Sequence, residues 1–351
     1  MNKGKSNQLR RSVAPYEKSN TTSSMRQLFN TIPPFFLLWV FAYQSLTISI
    51  WLTIPLAIVA AGFLVRSFII FHDCTHNSFL NSKKANNILG TLLGILTLFP
   101  YEKWKREHAI HHATNSNLDK RGTGDIWVMT IEEYAAASFW QRLAYRMYRN
   151  PFVMFGLGPF FLFLVSNRMN RKDAKRKEQL NTHIINVSIV AIYALLVWLI
   201  GWQPFLIIQG TILFISGSLG IWLFYVQHQF EDSYFENKDE WNYVKAAIDG
   251  SSYYKLSKVL QWLTGNIGYH HVHHLSPRVP NYNLEKVHNT SPLLQQVTTI
   301  TLWSSLKSIR FRLYDEKNKK FVSFKEVKHL LNRQRKSIQL ASGKTSFQGN
   351  K

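Results

Sequence analysis

Cysteine occurs once in 351 residues, at Cys74. A lone thiol excludes an internal disulfide framework and any thiolate metal cluster. Acids are scarce: 20 Asp and Glu stand against 42 Lys and Arg, a formal charge of +22. Residues 1–28 lack the short apolar run and cleavage site of a secretory signal and read as a basic tail, helical near Met25–Phe29. No nucleic-acid motif accompanies the basic balance, so nucleic acid is not expected as a partner. No internal repeat is evident beyond a pairing of apolar runs.

Apolar residues are abundant, at 46%, with 24 Phe and 11 Trp, which rules out wholesale disorder. The mean hydropathy of −0.13 averages two unlike populations, long charge-poor apolar runs and strongly basic stretches. From Ile32 to Phe71 the chain is almost continuously apolar, about twice the ~20 residues that cross a bilayer once. This predicts a helical hairpin over 32–49 and 52–71. A second run, Ile184 to Gln227, is broken at Gly201-Trp202-Gln203-Pro204, where Gly and Pro mark a turn. Both turns lack charge, whereas 1–31, 72–183 and 228–351 are rich in Lys and Arg. The positive-inside rule then places both termini and the middle segment in the cytoplasm of a multi-pass protein of the cell membrane. Ile88–Pro100 and Pro151–Val165 are too short to span comfortably and read as re-entrant or interfacial helices, the alternative being a pair of extra spans.

The expected architecture is an all-α integral membrane protein. It has four transmembrane helices in two hairpins, interfacial helices, and a cytoplasmic helical cap around a di-metal site. The segments are a tail (1–31), hairpin one (32–71), a cytoplasmic segment (72–183), hairpin two (184–227), the cap (228–341) and a disordered Ser/Gly/Lys-rich end (342–351).

Thirteen histidines need explaining, and most are grouped. HDCTH carries His72 and His76 at i, i+4. HAIHH carries His108, His111 and His112, and HHVHH carries His270, His273 and His274, both at i, i+3, i+4. On a helix these spacings share one face. One metal can then take two imidazoles from one helix. The first group begins where the second span ends, and His228, in YVQHQFE, sits at the matching end of the fourth. Packed together, so many histidines would repel one another if charged, and a metal requires their neutral form. The other reading of clustered histidines is pH sensing. Imidazole suits Zn, Cu, Fe and Ni. A catalytic zinc needs only three protein ligands, and haem one or two, whereas eight or nine histidines match two metals at four or five each. All-nitrogen ligation adds no negative charge, so carboxylates should hold the outer ring N–H groups. Asp73, Glu107, Asp119, Asp125, Glu231 and Asp232 are the candidates.

HDCTHNSF, HAIHHATNSNLDKRGTGDIW and GNIGYHHVHHLSPRVPNYNL resemble the three histidine boxes of integral-membrane fatty acid desaturases. The resemblance runs from about residue 28 to about 325 and is strongest to bacterial acyl-lipid enzymes of the Δ5 type. It implies two irons held by His72, His76, His108, His111, His112, His228, His270, His273 and His274. His271 falls outside that pattern. Asn266, four residues before His270, is a candidate to position a metal-bound water, or simply a turn residue after Gly265.

The implied reaction removes two hydrogens from adjacent methylenes of a membrane phospholipid acyl chain, with O2 as co-substrate. An unactivated C–H bond offers no acidic proton, so the oxidising power must come from the metal centre. An apolar channel near Phe68–Phe71, Ile95–Phe99 and Trp222–Tyr225 is expected to place the reacting carbons. Arg66, an intramembrane charge about 9 Å of helix rise before His72, is expected to snorkel or to pair with an acid at the site. No fused haem or iron–sulfur domain is visible, so electrons are expected from a separate acidic carrier, ferredoxin or flavodoxin. The carrier would be steered by Lys103, Lys105, Arg106, Lys120, Arg121 and 168–177. A hydroxylase on the same scaffold, a zinc-dependent membrane hydrolase and a transporter are the competing readings.

Overall fold

The structure, a computed structural model, describes residues 3–329. The tail expected to be disordered from Ser342 lies outside the described residues. The chain opens with α1 (Lys3–Val13), α2 (Thr21–Phe29), α3 (Ile32–Ser45), α4 (Ile50–Thr75), α5 (Lys83–Thr97) and α6 (Tyr101–Thr114). Strand β1 (Met129–Thr130), α7 (Ile131–Ala136), α8 (Phe139–Tyr148) and α9 (Gly158–Leu164) follow. Next come α10 (Arg176–Ile200), α11 (Trp202–Phe205) and α12 (Thr211–His228). The remainder comprises α13 (Tyr243–Asp249), β2 (Tyr253–Lys255), α14 (Lys258–Leu263), α15 (His270–Leu275), α16 (Leu284–Thr290), α17 (Pro292–Gln295), β3 (Thr299–Thr301), α18 (Leu302–Ser305), β4 (Leu313–Asp315) and β5 (Lys320–Val322).

Three helices among the described residues are long and apolar enough to cross a membrane: α4, α10, and the continuous Trp202–His228 that ends in α12. In α4, 56% of the apolar stretch is buried, against 11% in α10, so α4 is the central span and α10 the lipid-facing one. The Ser49 hydroxyl accepts the Trp51 N–H to start α4, and Gly201, at φ 85, ends α10 in a conformation that suits glycine.

The first expected span falls short, the second hairpin is present with its turn at Gly201, and the stretch after Pro151 is bent as a re-entrant segment or broken span would be. Helix α3 packs along α4 as predicted, but its 14 residues rise only about 21 Å, short of a ~30 Å hydrocarbon core. The second hairpin does not pack along its length: α10 lies against α5 and α6, and α12 against α4 and α9. Its arms are tied near the turn, where Gln209 donates to the Tyr193 hydroxyl at 2.9 Å. The apolar stretch after Pro151 forms a π-helical turn (Phe152–Leu157) and α9, bent 62° from α8. If that bent pair crosses as one unit, it is the fourth span.

The region beyond α12 is helical with two small sheets, so the chain is largely rather than wholly α. β2 pairs with β3 in parallel, and β4 lies between β1 and β5. The N-terminal tail belongs to this body. Leu9 and Val13 of α1 are buried against Val272, Leu275, Leu284 and Val287 of α15 and α16. These apolar contacts, not the local polar composition, hold α1 in place.

Candidate metal centre

Four helices bring nine histidines together. The last turn and C-cap of α4 supply His72 and His76, α6 supplies His108, His111 and His112, the end of α12 supplies His228, and α15 supplies His270, His273 and His274. They fall into two groups. His72, His76, His108, His112 and His273 form one, and His111, His228, His270 and His274 the other; within each, the candidate nitrogens all lie within 4.8 Å of one another. The rings of His112 and His274 stack at 4.3 Å and join the groups.

The partition follows helix geometry. In both three-histidine boxes the i, i+4 pair enters one group and the i+3 residue enters the other. Residues i and i+4 project about 40° apart around a helix, while i+3 lies about 60° to the other side. A helix seated between two centres therefore serves both.

Whether the residues fit metal ions can be judged from their nitrogens. His108 Nε2 stands 2.9 Å from His72 Nε2 and 3.0 Å from His112 Nε2, and His112 Nε2 stands 2.9 Å from His273 Nε2. His270 Nε2 stands 2.9 Å from His228 Nε2 and 3.1 Å from His274 Nε2. A neutral imidazole has one N–H, which cannot serve two such contacts. The Nε2 atoms of His76 and His111 are buried without a hydrogen-bond partner. Burial, with the neighbouring imidazoles adding to it, holds His76, His108, His112, His270, His273 and His274 well below the usual histidine range. These are neutral rings turning lone pairs toward common points. Two nitrogens at right angles about a metal about 2.1 Å from each stand about 3.0 Å apart. The donor set fits a pair of imidazole-seeking cations.

The opposite ring nitrogens fix the tautomers. His72 Nδ1 meets Asp73 at 3.1 Å, His111 Nδ1 meets Asp125 at 2.5 Å, and His228 Nδ1 meets the Gly250 carbonyl at 3.0 Å. Each partner only accepts, so each Nδ1 carries the proton and each Nε2 is bare. Asp73 is held by the Asn281 main-chain and side-chain N–H groups at 2.6 and 2.8 Å, and Gln27 of α2 donates to Asn281 at 2.9 Å.

Other sequence candidates lie elsewhere. Glu231 and Asp232 are exposed, and Asp119 accepts the Lys238 main-chain N–H. Asn266, at φ 59, donates to the Asn281 carbonyl at 3.3 Å and serves a turn. Among the described residues Arg66 pairs with no acid: it donates to Thr31 Oγ1 at 3.0 Å and to the Trp262 carbonyl, and its guanidinium covers the Trp262 ring at 4.0 Å. His271 is buried apart from both groups, with Nε2 3.1 Å from His288 Nδ1. Several of the expected steering cations are tied internally: Lys103 to the Ser166 and Met169 carbonyls, Arg106 to Glu178 and Asp173, Arg121 to Glu133. Residue reading missed Trp104, which stacks on His108 at 4.1 Å, although its i−4 spacing to that histidine was visible. It also missed Asn281 and Gly250, which no local spacing links to the boxes.

An apolar cavity of about 310 Å³ leads to the histidines. Leu64, Phe68, Phe99, Phe163 and Phe224 are among its walls, and it reaches His72 and His108 of one group and His270 of the other. Thus Phe68, Phe99 and Phe224 line the channel as expected. Phe71 instead packs in the core, and Tyr225 bonds the Ser308 carbonyl. Among the described residues Glu107 is the one acid on the cavity wall, and burial raises its carboxyl above the usual range.

Residues 49–299 match the fatty acid desaturase family. The chain is 60% identical over 326 residues to a fatty acid desaturase of Bacillus subtilis (strain 168), covering 93% of both chains. It is 26% identical to the sn-1 oleoyl-lipid 12-desaturase of Synechocystis, covering 79% of this chain and 81% of that one. To the chloroplastic omega-6 fatty acid desaturase of Glycine max it is 28% identical, covering 68% of this chain and 56% of that one. On the histidine-lined centre and these likenesses together, the chain belongs to the fatty acid desaturase family and is an O2-dependent membrane oxidoreductase of fatty acyl chains.

Proposed function

We propose that the chain inserts a cis double bond into acyl chains of membrane phospholipids at a position near the carboxyl end, Δ5, with two irons in the two histidine groups. The observation that carries this reading is the cavity: it is mostly apolar, walled by Leu64, Phe68, Phe99, Phe163 and Phe224, and reaches histidines of both groups. A hydrolase would need a polar pocket for its ester or amide, whereas a saturated chain offers only C–H surface. His72, His76, His108, His112 and His273 would hold one iron, and His111, His228, His270 and His274 the other. So held, the pair would supply the oxidising power for the reaction in which O2, two external electrons and two protons take two hydrogens from adjacent methylenes, leaving a double bond and two waters.

The chain's own residues bind, orient and exclude water. Asp73, Asp125 and the Gly250 carbonyl keep protons on the Nδ1 atoms of His72, His111 and His228. Phe68, Phe99, Phe163 and Phe224 surround the substrate channel. On α12 the lining runs from Gln227 back to Ser216, about 16 Å of helix rise and about half of a ~30 Å hydrocarbon core. A chain filling that depth has its reacting carbons near the head-group end, which supports Δ5.

The excess of Lys and Arg beside the histidines supports placing this side, with both termini, in the cytoplasm. Exposed Lys120, Lys172 and Arg176 on that side suit an acidic ferredoxin or flavodoxin as electron donor.

Expression in a bacterial host without desaturases, followed by mass spectrometry of its phospholipids, tests the reading. Products lighter by two hydrogens, with the double bond at carbon 5 and only under air, are expected. Added oxygen would point to a hydroxylase. Activity under anaerobic conditions with stoichiometric zinc would point to a hydrolase.

A further inference from the structure

We infer that Gly220 sets the length of acyl chain the cavity admits beyond the reacting carbons. The inference rests on the desaturase reading above. Gly220 lies on α12, whose lining includes Ser216, Gly217, Phe224 and Gln227. At about 100° per residue, Ser216 and Phe224 flank Gly220 by about 40° on either side, and Gln227 projects within about 20° of it. Gly220 therefore occupies the middle of the helix face turned to the channel.

Two glycines on this face do different work. A Cβ at Gly217 would meet the Phe163 ring at 2.7 Å and Pro159 at 2.8 Å, so Gly217 lets α9 close on α12. A Cβ at Gly220 would meet nothing within 4 Å. Packing does not require glycine there, and the backbone is not in the left-handed region. Glycine inside a helix is unfavourable relative to alanine. That cost keeps open a stretch of channel which any side chain would fill.

The depth is defined from both walls. Gly220 precedes His228 by eight residues, and Leu64 of the facing α4 precedes His72 by eight, about 12 Å of helix rise in each case. Both helices run toward the histidines, so Gly220 and Leu64 stand at similar depth. A side chain at 220 would meet a substrate chain about 12 Å beyond the reacting carbons. Longer chains would then lose their seat first, because their methyl ends must pass that level.

The test compares wild type with Gly220→Ala, Gly220→Val and Gly220→Phe, as full chains in a desaturase-free host fed saturated fatty acids of 12 to 18 carbons. Gly210→Leu, at a glycine outside the cavity lining whose Cβ also meets nothing, controls for added bulk. The expected result is a graded fall in the ratio of longest to shortest unsaturated product, reaching about tenfold or more in Gly220→Phe. Bond position and metal content should stay unchanged, and Gly210→Leu should keep the wild-type profile. If Gly220→Phe does not fold, the single methyl of Gly220→Ala carries the test, with a smaller shift in the same direction. An unchanged profile, or equal loss at every length in all foldable variants, overturns the inference. Absence of desaturated product from wild type defeats the desaturase reading instead, so the two failures are distinct.

Discussion

The Nε2 atoms of His112 and His273 lie 2.9 Å apart, although 161 residues separate them in the chain. Nothing local holds them there. Helix α6 packs against α4 and α10, and α15 against α13 and α16; two neutral imidazole nitrogens brought so close suit a cation between them.

His228 is the only member of the nine outside the three boxes, and it belongs to the group of four. His228→Ala should lower the metal content from two ions per chain to about one and abolish desaturation, with helicity retained. Elemental analysis of purified protein and circular dichroism check this. Full metal loading with normal activity would remove His228 from the site.

Asp125 orients His111 through Nδ1. Asp125→Asn can offer that N–H a weaker, neutral acceptor, so metal affinity or activity should fall about 10- to 100-fold. Chelator competition at fixed pH measures the first and lipid product analysis the second. Glu231→Gln, at an exposed acid, should leave metal affinity unchanged.

Arg66 joins α4 to the Thr31 hydroxyl and to the Trp262 segment. Arg66→Leu removes charged hydrogen bonds and a cation–π contact and should cost about 3 kcal/mol. The readout is a lower Tm in detergent. Arg66→Lys should recover only part of the loss, because an ammonium lacks the planar fork and its several donors. An unchanged Tm in Arg66→Leu would show that these contacts contribute nothing.

Acid should weaken the cap through His271 and His288. Burial lowers both, His271 to about 3. Unfolded, each takes up a proton near pH 6.5. Between that pH and about 3 the unfolded chain binds more protons, so stability falls with falling pH and is constant above about 7. For His271 alone the slope is up to about 1.4 kcal/mol per pH unit. Tm measured from pH 8 to 5 should drop below pH 6.5, and His271→Gln should flatten that drop. Parallel curves for the two proteins would count against this.

Much of the site was legible because helical neighbours lie within four residues of one another. The i, i+3, i+4 spacings of His108–His112 and His270–His274 already placed the rings on shared faces, and the ends of the apolar runs placed His72 and His228 at one depth. The same local logic could not choose among acids. Asp73 and Asp125 reach histidines, while Glu231 and Asp232 stand in water, because orientation at a loop or helix end depends on what packs there.

By itself the sequence determined the long apolar helices, the histidine faces and the family, since each rests on a period of two to four residues or on a contiguous motif. Only tertiary structure decided the division into five and four histidines, the burial of α1 in the cap, the partners of Arg66 and the open channel beside Gly220. Those features join residues tens to hundreds of positions apart, and the meeting of such residues is set by how whole helices pack, which no short spacing encodes.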